Sequence, residues 1–230
     1  MAESGYRVVI FGESQLASLA HFYLKHDSPH NVVAFCVDAD YRQSDTYEGL
    51  PLVDFETVES QYPPDSVRMF LPISFKRMSH LRRDKYEAAK AKGYAMISYV
   101  SSEATTWPDL DIGENCFIFE DNTIQPYVTI GDNCVLWSGN HIGHHTAIGN
   151  HVFVTSQVVI SGCCVVEEHS FFGVNATVRD ETHIANHTLV GMGANITGDT
   201  NPEEVHLGHK SRVHYKKSMS LDSLSHKSDG

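Results

Sequence analysis

Tryptophan and cysteine are scarce in this 230-residue sequence, with two of the first and five of the second. The cysteines (Cys36, Cys116, Cys134, Cys163 and Cys164) are odd in number and form no CxxC pair. That pattern fits a reducing compartment better than a disulfide framework. No stretch approaches the ~18 apolar residues of a membrane span, so no membrane partner is expected. The opening MAESGYRVVIFG has no basic region followed by a long apolar run, so no signal peptide is expected either. A cytoplasmic location follows from these readings. Basic residues are outnumbered, 17 Lys and Arg against 29 Asp and Glu, which leaves a formal charge of −12. Such a surface repels a phosphate backbone and excludes nucleic acid as the main partner. It leaves room for a local basic patch on a phosphorylated cofactor.

What is plentiful is histidine, 15 residues concentrated in the second half, and a strict period of six. From Ile112 every sixth residue is apolar: Ile112, Ile118, Ile124, Ile130, Leu136, Ile142, Ile148, Val154, Ile160, Val166, Phe172, Val178, Ile184, Val190 and Ile196. Four residues after each anchor, from Cys116 to Ala194, runs a second column of small, β-branched or otherwise compact side chains. Glycine follows the anchor at Gly113, Gly131, Gly143, Gly149, Gly173 and Gly191, where a tight turn calls for a permissive backbone. A helix has a period of 3.6 and a half-buried strand a period of two, so neither explains this stride. A repeat of fixed length without insertions points to a solenoid.

The first hundred residues are organised differently. Strands are expected at Arg7–Phe11, Asn31–Val37, Val67–Leu71 and Tyr94–Val100, with helices from Gln15 to about Lys25 and over Arg77–Lys92. Alternation of this kind gives a small parallel α/β domain. Only Gly12 stands in the first turn, where a dinucleotide fingerprint needs three glycines, so NAD binding is not expected. A purely structural cap is the plain alternative. Beyond Thr200 the period stops. His206–Lys217 is basic, and Ser218–Gly230 reads as a polar, disordered tail.

The repeat resembles that of the left-handed β-helix hexapeptide acyltransferases. Together with the α/β segment before it, it resembles the nucleotide-sugar N-acyltransferases of the bacillosamine and perosamine pathways and their sialic-acid O-acetyltransferase relatives. The resemblance implies a Rossmann-like nucleotide-sugar-binding domain at 1–101, an all-β left-handed parallel β-helix of about five coils at 102–200, and a basic segment with a polar tail at 201–230. It implies a homotrimer with an acyl-CoA co-substrate (acetyl-CoA or a hydroxyacyl-CoA) lying between neighbouring prisms, and no metal. The acceptor would be a dTDP-, UDP- or GDP-linked amino-deoxysugar destined for surface polysaccharide such as lipopolysaccharide or O-antigen.

Carried over residue by residue, the family's general base falls on His144, and Gly162, one coil on, would supply an oxyanion-stabilising amide. Gly12, Ser14, Asp38 and Asp40 match the sugar-nucleotide site. Glu13 in the same turn disfavours phosphate. Trp137, His141 and His145 are candidate substrate contacts; Trp137 and His145 stand where relatives carry a small polar and an acidic residue. The group that orients the base is therefore not identified by the sequence. Gly162, Gly173 and Gly191 would offer backbone amides to the cofactor, with Lys216 and Lys217, and also Lys210 and Arg212, for its phosphates.

The other histidines read as outward-facing surface residues: His151, His169, His183 and His187. Cys116, Cys134 and Cys164 belong to the corner column and are structural. Cys163 stacks one coil above His145, so a Cys–His nucleophile is chemically conceivable. Direct attack on a thioester does not need one. Rival readings are an O-acyltransferase, a β-helix scaffold without activity, and a γ-carbonic-anhydrase-like metalloenzyme. The HxxxxH spacing of the last occurs only at His209–His214, outside the repeat.

Overall fold

The computed structural model describes residues 5–220. The N-terminal part is a five-stranded sheet built from β1 (Arg7–Phe11), β2 (Asn31–Val37), β3 (Thr46–Tyr47), β4 (Leu50–Asp54) and β5 (Arg68–Phe70), in the order β3-β4-β2-β1-β5. Its pairs are parallel except the β3–β4 hairpin. That hairpin escapes the sequence reading. Its turn places Glu48 and Gly49 at φ 50° and 77°, the backbone a two-residue hairpin loop requires. Helix α1 (Gln15–His26) starts at Ser14, whose side chain accepts the Ala17 N–H. Helix α2 (His80–Ala91) begins three residues later than its sequence pattern suggests. Arg77, Met78 and Ser79 all have left-handed φ, so the chain cannot be helical there.

The strand expected over Tyr94–Val100 is corrected. Met96 forms an isolated bridge to Met69, and only Tyr99–Val100 is a strand, paired with Phe117–Ile118 of the repeat region. The chain leaves one sheet and enters the next within this segment.

Residues 111–196 contain fifteen two-residue strands, and every expected anchor is the second residue of one of them. The first twelve each pair in parallel with the strand 18 residues on, as in Ile112↔Ile130↔Ile148↔Val166↔Ile184. Three parallel sheets result, consistent with a left-handed β-helix; one is extended by Tyr99–Val100 at one end and Val205–His206 at the other. From Ile118 onward the anchors, and the whole column from Cys116 to Ala194, are buried in a single core. Apolar burial along that axis is the main stabilising term, at roughly 25 cal/mol per Å² removed from water.

The role expected of the repeat glycines is also corrected. None of the six that follow an anchor has positive φ; left-handed backbone falls two residues later, at Asn115, Asp121, Tyr127, Asn133, Gly139, His145, His151, Gln157, Cys163, His169, Asn175, Glu181, His187 and Gly193. What the anchor-following glycines provide is room. A Cβ at Gly173 would lie 2.5 Å from Met192 N, and one at Gly149 would lie 3.0 Å from Glu168 N. The next coil's backbone excludes a side chain.

The α/β part covers one side of the prism. Core residues of α1 and β1 share a cluster with Phe117, Phe119, Val135 and Phe153. On α2, Arg82 is fully buried and donates to the carbonyls of Asn133 (3.0 Å), Ile73 (3.1 Å), His151 (2.9 Å) and Val152 (3.3 Å). Four accepting oxygens compensate a buried cation, and burial still pulls its pKa down to about 10. His151 and His169 are therefore not surface residues, contrary to their reading in the sequence: they are 7% and 2% exposed. They form a ladder with His187, with ring centroids 4.8 Å apart at each step, and His80 of α2 stacks on His169 at 4.4 Å. His169 also engages the Met78 carbonyl through Nδ1 at 2.9 Å. His183 does face outward, beside Glu167 at 2.9 Å.

Of the polar tail, Ser218–Ser220 form a short 3-10 turn and residues 221–230 lie outside the described residues. Among the described residues no helix is long and apolar enough to cross a membrane.

Candidate active site

Turns of the β-helix recur every 18 residues at the same corner, so residues that are far apart in sequence become neighbours by register alone. The strand His141–Ile142 leads into a turn carrying His144 and His145, and the equivalent turn one coil on carries Gly162 and Cys163. The His144 ring lies over the Gly162 α-carbon; a Cβ there would sit 2.8 Å from Cε1 and 2.9 Å from Nε2. No larger residue at 162 leaves the ring where it is. The Gln125 side chain, from the preceding coil, accepts the His144 N–H at 2.9 Å, and the His144 carbonyl accepts the Cys163 N–H at 2.8 Å. Among the described residues no acceptor takes the Gly162 N–H.

His145 lies against the His144 ring. Its Nδ1 is 3.1 Å from His144 Nδ1, and its ring packs on Tyr127 at 4.6 Å between centroids. When the shared proton is on His144 Nδ1, His144 Nε2 keeps its lone pair and can act as a base. Cys163 Sγ stands 3.8 Å from His144 Nδ1, so the thiol borders both histidines rather than His145 alone. His144, His145 and Cys163 are all exposed. His141 is half-buried and points outward from its strand, which pairs with Thr123–Ile124 and Val159–Ile160. Trp137 sits at the other end of that prism side, stacked on Phe119 at 4.6 Å and 8° and packed against the core of the α/β part. The two do not share a corner.

A separate cleft of about 520 Å³ opens at the ends of β1 and β2. Gly12, Glu13, Ser14, Tyr41, Ser74 and Lys76 are among its lining residues. Gly12 has φ +110° and its N–H binds the Cys36 carbonyl, so the chain turns sharply into α1 and opens that helix's N-terminus toward the cleft. Lys76 was not anticipated; it brings a cation to the same cleft as the Glu13 carboxylate. Asp38 and Asp40 do not line the cleft. Asp38 is ion-paired with Lys85 of α2 at 2.6 Å, and Asp40 is exposed on the 3-10 turn Ala39–Tyr41.

Gly173 and Gly191 stack as expected, since a Cβ at Gly173 would lie 2.9 Å from the Gly191 carbonyl carbon. Their expected use as amide donors is corrected. Gly173 N–H is bonded to Val190 O and Gly191 N–H to His206 O, both at 2.7 Å. They offer a flat surface without side chains instead. Lys210, Arg212, Lys216 and Lys217 lie on the exposed segment after the last coil.

The bacterial transferase hexapeptide model (six repeats) matches residues 110–144 and 127–162. The chain carries the bacterial transferase hexapeptide repeat. No curated protein matches the sequence of this hexapeptide-repeat chain. Solved structures share its fold at low identity. The acetyltransferase domain of PglB from Neisseria gonorrhoeae is 18% identical with a TM-score of 0.78, covering 89% of this chain and 97% of its own. PerB from Caulobacter crescentus, solved with CoA and GDP-perosamine, is 22% identical with a TM-score of 0.76, covering 88% and 94%. WeeI from Acinetobacter baumannii is 18% identical with a TM-score of 0.74, covering 88% and 96%. The likeness in fold to these structures thus extends over the α/β part as well as the prism.

Proposed function

We propose that this protein is a cytoplasmic, homotrimeric acyl-CoA-dependent N-acyltransferase acting on a nucleotide-linked amino-deoxysugar. The observation that carries this reading is the corner where an exposed imidazole, backed by a second imidazole, lies over a glycine whose amide is uncommitted. Likeness in fold to proteins solved with CoA and a nucleotide-linked amino sugar supports the same reading.

In this mechanism His145 holds the proton on His144 Nδ1, and His144 Nε2 takes a proton from the neutral sugar amine as its nitrogen attacks the thioester carbonyl, the ammonium form having first lost a proton to solvent. The Gly162 N–H stabilises the oxyanion. Collapse of the tetrahedral intermediate breaks the carbon–sulfur bond, and the imidazolium returns its proton to the CoA thiolate. Cys163 has no part in this route, because the thioester is already activated. The cleft beside α1 takes the nucleotide of the sugar in a Rossmann-like domain, with Gly12, Ser14 and Lys76 next to its diphosphate. Coenzyme A lies along the glycine surface of Gly173 and Gly191 in the groove between prisms, with Lys216 and Lys217 near its phosphates.

Thiol release from acetyl-CoA, run against a panel of dTDP-, UDP- and GDP-linked amino sugars, tests the reading. The product is expected to survive mild hydroxylamine, as an amide does. A hydroxylamine-labile product points to O-acylation, and no thiol release with any acceptor removes the enzymatic reading. Light scattering should give a trimer of the 25.6 kDa chain.

A further inference from the structure

The same corner holds a set of atoms that acyl transfer does not use together. His144 Nδ1 and His145 Nδ1 are 3.1 Å apart, Cys163 Sγ is 3.8 Å from His144 Nδ1, and all three lie within 4.8 Å of one another. Zinc–nitrogen bonds of about 2.0–2.1 Å and a zinc–sulfur bond of about 2.3 Å, set at tetrahedral angles, place ligand nitrogens about 3.3 Å apart and nitrogen and sulfur about 3.6 Å apart. The two edges that meet at His144, 3.1 and 3.8 Å, match these to within a few tenths of an ångström, and the third, between His145 and Cys163, is below 4.8 Å. His145 and Cys163 both have left-handed backbone, φ 59° and 57°, at equivalent positions of successive coils. That equivalence brings two side chains from different coils to one corner. In the other histidine cluster the rings of His80, His169 and His187 are stacked with interplanar angles of 15–23°; His80 Nε2 and His187 Nε2 approach to 3.1 Å, while His169 Nδ1 is already engaged with the Met78 carbonyl at 2.9 Å.

We propose that His144 Nδ1, His145 Nδ1 and Cys163 Sγ form a three-ligand site for a borderline-soft divalent cation of the zinc class, with the fourth position open to water. Binding releases the Cys163 thiol proton to solvent and gives a thiolate–metal bond. It also moves the His144 proton from Nδ1 to Nε2, because the metal takes the Nδ1 lone pair. With Nε2 protonated, His144 cannot accept a proton from the sugar amine, so the cation inhibits acyl transfer. This consequence rests on the acyltransferase reading; the metal site itself does not.

Cobalt titration of the tag-free protein tests the site, because Co²⁺ bound to thiolate gives a sulfur-to-metal charge-transfer band in the near ultraviolet. Cys163 is the exposed cysteine; Cys36, Cys116, Cys134 and Cys164 are buried, so the band reports on one residue. The expected result is a band that saturates at one equivalent per chain, is displaced by Zn²⁺ and is missing in Cys163→Ser. That variant should transfer acyl groups like the wild type and need about tenfold or more Zn²⁺ for half-inhibition, the smaller end of losses seen on weakening a metal site. A wild type without the band, or a band that persists in Cys163→Ser, overturns the site. A saturated band with acyl transfer undiminished leaves the site standing and removes His144 as the base.

Discussion

The His144 imidazole rests on the α-carbon of Gly162, eighteen residues away in sequence and one coil away in space, with room for a hydrogen and none for a methyl group. Glycine is needed there for clearance rather than for backbone freedom, since its φ is not in the left-handed region.

Gly162→Ala should therefore fold normally and turn His144 aside, because the obstructing atoms belong to an exposed side chain that can swing away. A misplacement of about 1 Å costs about a hundredfold in rate. Gly143→Ala is the contrasting case: its Cβ would meet the Gly162 Cα at 2.8 Å and still closer backbone atoms that cannot move alone. That overpacking should cost about 1–3 kcal/mol of stability. Thermal unfolding and turnover of the two variants should separate, one losing rate and the other stability. Equal losses of both in each variant contradict the assignment.

His144→Asn should lower turnover by about two to four orders of magnitude, the scale of a general base. Acyl-CoA affinity, measured by calorimetry, should stay near wild type. Wild-type turnover in this variant removes the base.

In the proposed mechanism His145 is a positioning residue, acting through the Nδ1 of His144, 3.1 Å away. His145→Asn keeps an acceptor near the same place and suits the left-handed backbone, φ 59°, better than most residues. It should retain most of the activity, whereas His145→Leu should lose about one to two orders of magnitude in kcat. Equal loss in both variants indicates a steric role only.

Burial holds His151 down to about 3 from its ordinary 6.5, aided by nearby His169, Arg82, Arg83 and His80. Burial lowers His169 and His80 as well, with Arg83, Arg77 and His187 adding repulsion at His80 and with Asp84 and Glu168 opposing. The unfolded chain takes up these protons below pH 6.5 and the folded chain resists, so the ladder's stability is complete above 6.5 and declines as pH falls toward about 3. Tm should drop between pH 7.5 and 5. The drop should shrink in His151→Asn, which copies Asn115 and Asn133 at earlier positions of the same left-handed column. A Tm that is flat or higher at pH 5 contradicts this.

The period of six was enough to fix the prism, because a solenoid's register is one-dimensional. Once 18 residues make a coil, His144 must meet Gly162, Gly173 must meet Gly191, and the column Cys116 to Ala194 must fall inside. Contacts between parts of different periodicity were not legible. His80 of the α2 helix stacks on His169, Met78 just before the helix meets it across 91 residues, and nothing in the repeat marks that face as covered. His151 and His169 therefore read as surface, and Asp38 read as available although Lys85 holds it. The purpose of a glycine was hidden for a related reason: composition records the missing side chain, while only the distance to the next coil tells whether φ or clearance demanded it. Local covalent spacing set which residues stack, and packing between distant segments decided which of them still face solvent.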